Sequence, residues 1–108
     1  MNFIHGTLDV LILNAISDRS LHGYDVVDWI RRATRDEIEI EDGALYTALH
    51  RMERRGWLAA EWRVSPKGRR AKYYQLTARG QKELKDGQKH WARFATAVSR
   101  AFAARGES

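Results

Sequence analysis

The chain has 108 residues, enough for one domain, and its 44% apolar and 31% charged residues exclude a disordered chain. Its net charge of +5 is unevenly spread: residues 1–50 carry 4 Lys/Arg against 9 Asp/Glu, a balance of −5, whereas residues 51–108 carry 15 against 5, a balance of +10. The longest apolar run, Val10–Leu13, cannot span a bilayer, and the opening MNFIHG has no basic-then-apolar signal segment.

Leu8, Leu11, Ile12, Ala15 and Ile16 follow helical spacing, with Val10 and Leu13 forming a second apolar face. Thr7 is the expected N-cap, with Asp9 in the first turn. A helix apolar on two sides needs cover on both, and in so short a chain the second cover is expected from another protomer. Ser17–Ser20 reads as a turn. A second helix follows over Gly23–Ala33, with Val26, Val27, Ile30 and Ala33 inward and Asp25, Asp28, Arg31 and Arg32 outward. The acidic stretch Asp36–Asp42 reads as a solvated loop making no base contact. Ile38 and Ile40 alternate with charges there, which allows a short strand, and Glu41 or Asp42 serves as the next cap.

The third helix is expected over Gly43–Arg55. Leu45, Ala48, Leu49 and Met52 form its buried stripe; Thr47, His50, Arg51 and Arg54 lie opposite, Tyr46 sits at the edge, and Gly56 stops it. Leu58, Ala60, Trp62 and Val64 then alternate with Ala59, Glu61 and Arg63, as a strand requires. Ser65-Pro66-Lys67-Gly68 has the composition of a tight turn, and Lys72–Leu76 is the returning strand, with Tyr74 and Leu76 inward. The hairpin tip thus carries Lys67, Arg69 and Arg70. Thr77 caps a final helix from Ala78 to about Ala104, in which Leu84, Trp91 and Val98 with Ala95 and Phe102 make a packing seam. Gly80 and Gly87 weaken this helix slightly.

The expected fold is mainly α with a small β-hairpin (α+β): a winged helix-turn-helix over residues 1–76, and a long C-terminal dimerisation helix over residues 77–108. A basic half implies a polyanionic partner, nucleic acid or an anionic membrane, unless it is only a solvated face. The B-DNA major groove admits one α-helix. Gly43 and Ala44 let the third helix approach closely with its N-terminus open to a phosphate, and Tyr46, Thr47, His50 and Arg51 reach bases or phosphates. The basic tip is expected to lie along or in the adjacent minor groove. The four His show no metal spacing, and no nucleophile–base pair, paired carboxylates or glycine-rich phosphate loop indicates an enzyme. His5, His22 and His90 read as structural or solvent-facing; Trp29, Trp57 and Trp62 read as core or hairpin packing. Cysteine is absent, which removes disulfides and fits a cytoplasmic location.

The segments GTLDVLILNAI (6–16), HGYDVVDWI (22–30), GALYTALHRMERRGWL (43–58), EW (61–62) and GRRAKYYQLTARGQKEL (68–84), together with Trp91, resemble the PadR family of transcriptional regulators, in its short form with one C-terminal helix. The resemblance implies a homodimer built through the first and last helices, binding palindromic double-stranded DNA operators as a repressor and released by a small molecule or another signal. Tyr46 matches a tyrosine that contacts phosphate, and Arg69, Arg70 and Lys72 match the wing cations. Thr47 stands where many members have proline. Trp91 matches a tryptophan that in the multidrug-binding branch stacks planar aromatic effectors across the dimer. Leu8, Leu11, Ile12, Ala15 and Ala95 are the expected companions of Trp91 at the effector site, and Phe3, Ile4, Leu84, Trp91, Val98 and Phe102 the expected dimer contacts. No cofactor and no membrane contact are expected. A protein-binding winged helix without DNA is the alternative, which the cations Arg51, Arg54, Arg55, Lys67, Arg69, Arg70 and Lys72 disfavour.

Overall fold

The computed structural model describes the backbone of residues 3–106 and side chains from residue 6 onward. Phe3 and Ile4, named above as dimer contacts, and His5 therefore have side chains outside the described residues. The order is α1 (Phe3–Ala15), β1 (Leu21–His22), α2 (Gly23–Ala33), α3 (Asp42–Arg54), β2 (Leu58–Val64), β3 (Arg70–Leu76) and α4 (Ala78–Gly106). The fold is mainly helical, with one antiparallel three-stranded sheet in the order β1-β3-β2.

α1 starts before Thr7, which is interior to the helix rather than its cap. Its two apolar faces are both covered within one chain. Ile12, Ala15 and Ile16 enter the core, and Leu13 is equally buried, while Val10 meets α4 at Gly87. The expectation that a second protomer supplies this cover is therefore corrected: α4 of the same chain does so. α2 buries Val26 and Ile30 as its periodicity requires, but Ala33 is exposed at its end. His22 Nδ1 accepts from the Asp25 amide at 3.4 Å and so caps α2.

No strand forms over 36–41. The chain turns through two residues in the left-handed region, Arg35 (φ 52°) and Asp36 (φ 65°), and delivers Ile40 into the core while Ile38 stays exposed. α3 buries Leu45, Ala48, Leu49 and Met52. It ends in a paired 6→1 and 5→2 closure, Trp57 N–H to Met52 O at 3.0 Å and Gly56 N–H to Glu53 O at 3.0 Å, with Gly56 at φ 79°. The hairpin follows in register Leu58↔Leu76, Ala60↔Tyr74, Trp62↔Lys72 and Val64↔Arg70. Its turn is closed by Gly68 N–H to Ser65 O at 2.9 Å and Ser65 N–H to Arg69 O at 2.7 Å. β1, too short for a sequence pattern to reveal, adds its two residues beside Tyr73 and Tyr74.

Thr77 caps α4: its Oγ1 accepts from the Gly80 amide at 3.1 Å and donates to the carbonyl of Gly56 at 2.5 Å. At this junction α4 lies against the main chain. A Cβ on Gly80 would stand inside the van der Waals surface of the Trp57 carbonyl oxygen, and one on Gly87 would strike the Val10 side chain. The glycines read as weak points of the helix are thus its points of closest approach. Leu84 is buried in the protomer's own core, so its placement in a seam between protomers is also corrected.

Gly80→Ala is expected to lower the unfolding free energy by about 2 kcal/mol despite the better helix propensity of alanine, because a carbonyl oxygen cannot move aside. Gly87→Ala is expected to cost clearly less, since Val10 can change rotamer. Urea unfolding followed by circular dichroism measures both.

Candidate nucleic-acid interface

Two elements build the candidate surface. α3 exposes Gly43, Ala44, Tyr46, Thr47 and His50 because its period turns Leu45, Ala48, Leu49 and Met52 inward. The hairpin exposes Lys67, Arg69 and Arg70 at its tip. Among the described residues, none of these three cations has a carboxylate within ion-pair distance.

Arg51 and Lys72 are placed differently. Arg51 forms an ion pair with Asp9 of α1, both side chains largely withdrawn from water. Lys72 Nζ stands 2.8 Å from Glu53 Oε1, joining the hairpin to α3, and this hydrogen bond holds its ammonium above the ordinary lysine pKa. Both cations are therefore built into the scaffold rather than presented at its surface. Nothing in the local sequence announces this, since Asp9 and Arg51 are 42 residues apart.

Tyr46 is 42% exposed. Its hydroxyl oxygen lies 2.8 Å from where a Cβ on Gly23 would be, so the phenol rests on the start of α2. Partial burial, then the neighbouring Tyr24, Asp42 and Tyr74, raise its pKa, which keeps it a neutral O–H donor. Tyr24, exposed beside it, joins the same surface; its place in HGYDVV, off the buried stripe of α2, is the signal that could have singled it out. The N-cap of α3 is Glu41, which makes no side-chain cap bond, and Asp42 occupies the first turn. The surface is thus bipolar, with carboxylates at the helix start and unpaired cations on the wing.

A groove of about 470 Å³ opens elsewhere, between α1 and α4. Val10, Leu13, Trp57, Trp91 and Phe94 line it, with Asp9, Glu83 and Asp86 among its charged groups and Lys89 and Arg93 on exposed positions of α4. The indole N–H of Trp57 is buried without a hydrogen-bond partner among the described residues. Of the residues expected around Trp91, Ile12 and Ala15 are enclosed in the core, Leu8 and Leu11 pack partly buried against it, and Ala95 is half-buried on α4 outside the lining. In this groove it is the other face of α1, through Val10 and Leu13, that meets Trp91, while Ala95 stands one turn beyond Trp91 on α4. No described helix is long and apolar enough to cross a membrane, and no metal-ligating cluster occurs among the described residues.

Arg51→Ala, which removes the partly buried ion pair that ties α3 to α1, is expected to lower stability by about 1–2 kcal/mol in thermal or urea unfolding, between the values for exposed and fully buried pairs.

The Transcriptional regulator PadR-like family model matches residues 12–86. A transcriptional regulator from Clostridium thermocellum is similar over 93% of this chain and 97% of its own, at 26% identity and TM-score 0.82. A PadR family transcription regulator from Clostridium difficile is 30% identical, with 89% of this chain and 97% of that one covered and TM-score 0.71. Bacillus subtilis PadR in complex with operator DNA shares the fold over 74% of this chain and 45% of that chain, at 22% identity and TM-score 0.67. With the family model covering most of its length and these winged-helix neighbours, the chain belongs to the PadR-like family of transcriptional regulators.

Proposed function

We propose that this chain is a homodimeric, sequence-specific DNA-binding repressor of inverted-repeat operators, released by a planar aromatic ligand. The observation that carries the reading is the pairing of an exposed, small-residue helix face with a wing tip whose Lys67, Arg69 and Arg70 have no carboxylate partner among the described residues. Unpaired cations gain most from phosphates, because no internal ion pair must first be broken. A B. subtilis PadR solved with operator DNA supports the same use of this fold. In this reading Gly43, Ala44, Thr47 and His50 face the major groove, Tyr46 donates to a phosphate, and Arg51 and Lys72 hold the helix and wing in position. A protein-binding winged helix would have no need of the unpaired cations.

Dimerisation accounts for the outer half of α4, where Trp91 is 47% and Phe102 73% exposed, with Val98 between them on the same seam. Pairing these surfaces would place two α3 helices about 34–36 Å apart, one turn of DNA. The Trp91 groove offers the aromatic walls of Trp57, Trp91 and Phe94 to a planar ligand. Such a ligand acts on DNA binding only if it favours one head spacing over another.

Fluorescence anisotropy on the protein's own promoter duplex tests the first part. Affinity is expected to fall steeply with salt, and Arg69→Ala with Arg70→Ala to weaken all sequences alike, the salt slope dropping by about one per lost phosphate contact. A flat salt response, or a loss confined to one operator, contradicts the assignment. Trp91→Ala is expected to abolish binding of planar dyes; undiminished dye affinity moves the ligand elsewhere.

A further inference from the structure

We infer that the inner face of the wing beyond α3, formed by Trp62 and Val64 beside Arg70, is an apolar contact for the minor groove of duplex DNA. This rests on the DNA-binding reading above and adds to it a contact that does not depend on charge. The strand register puts Leu58, Ala60, Trp62 and Val64 on one face with Leu76, Tyr74, Lys72 and Arg70. Along that face burial runs out: Leu58 and Tyr74 are each 3% exposed, Trp62 is 57% and Val64 71% exposed. The hairpin overshoots the helices, yet its core-type alternation continues into solvent. A solvated arm has no use for a tryptophan and a valine there, and water penalises both.

The charges differ between the two faces. On the outer face Arg63 pairs with Glu61, reaches the Ser20 hydroxyl at 3.3 Å and lies 5.0 Å from the Tyr73 ring, so its cation is held internally. On the inner face Lys72 is taken by Glu53. Arg70 remains, with its guanidinium 5.2 Å from the Trp62 ring and no carboxylate partner among the described residues. A bare cation stacked on an exposed aromatic complements a surface that is at once anionic and apolar. The minor groove meets both demands, with phosphate rims and with sugars and base edges between them, and apolar side chains insert there in other architectures. Lys67 and Arg69 at the same tip fit no apolar protein partner as well.

The test is anisotropy with the full-length chain and its own promoter duplex across a sodium chloride series. Trp62→Ala is expected to weaken binding at least about tenfold with the slope of log affinity against log salt unchanged, because no phosphate contact is lost. Trp62→Phe is expected to recover most of the affinity, Arg70→Ala to lower the slope by about one, and the melting temperature of all three variants to match wild type. Netropsin, which occupies the minor groove, is expected to compete with wild type more strongly than with Trp62→Ala. Wild-type affinity in Trp62→Ala, or a loss that travels with the salt slope, overturns the proposal. So does a shift of Trp62→Ala toward monomer in sedimentation, which would make this face a contact between copies of the chain. If wild type itself binds no duplex at low salt, the DNA reading fails first and this contact with it.

Discussion

One main-chain junction governs the geometry of this molecule. The end of α3, the start of β2 and the start of α4 converge at Gly56, Trp57, Thr77 and Gly80. The Trp57 carbonyl accepts from the Thr77 amide at 3.0 Å and fills the space a side chain at Gly80 would need. Thr77 Oγ1 closes the same corner from both sides, capping α4 and bonding back to Gly56. Because the groups are backbone atoms in contact, the angle between α3 and α4 has little freedom.

Two ion pairs complete the frame and change how the charge of the second half is to be understood. Asp9–Arg51 ties α3 to α1, and Glu53–Lys72 ties α3 to the wing. Each withdraws from solvent a cation that composition alone counts toward a polyanion-binding surface. Of what is left, Lys67, Arg69 and Arg70 cluster at the hairpin tip, and most of the remainder is spread along α4. Asp9 also lines the groove beneath Trp91, so one residue both holds α3 through Arg51 and borders a cavity.

α4 does two jobs along its 29 residues. Its first half, through Gly80, Leu84 and Gly87, packs on the core of its own protomer. Its second half carries Trp91, Val98 and Phe102 past the body of the domain, one reason the molecule is 60 Å long but only 28 Å by 23 Å across. A uniform heptad pattern conceals this division, because the same spacing runs through the packed half and the exposed half.

Sequence periodicity alone determined the helical extents of α2 and α3, the buried stripe of α3, the hairpin with its Ser65–Gly68 turn, and the Thr77 cap, because these rest on neighbours a few residues apart. The same locality made the wing cations and the exposed flank of α3 legible in advance. The tertiary structure alone decided that α4 covers Val10 and Leu13, that Leu84 belongs to the core, that Gly80 and Gly87 are contact points, and that Arg51 and Lys72 are held by carboxylates. It also decided where along the hairpin the core ends, leaving Trp62 and Val64 in water although their pattern is that of buried residues. Alternation specifies which face a side chain occupies, but only the helices packed against that face determine whether anything is there to cover it.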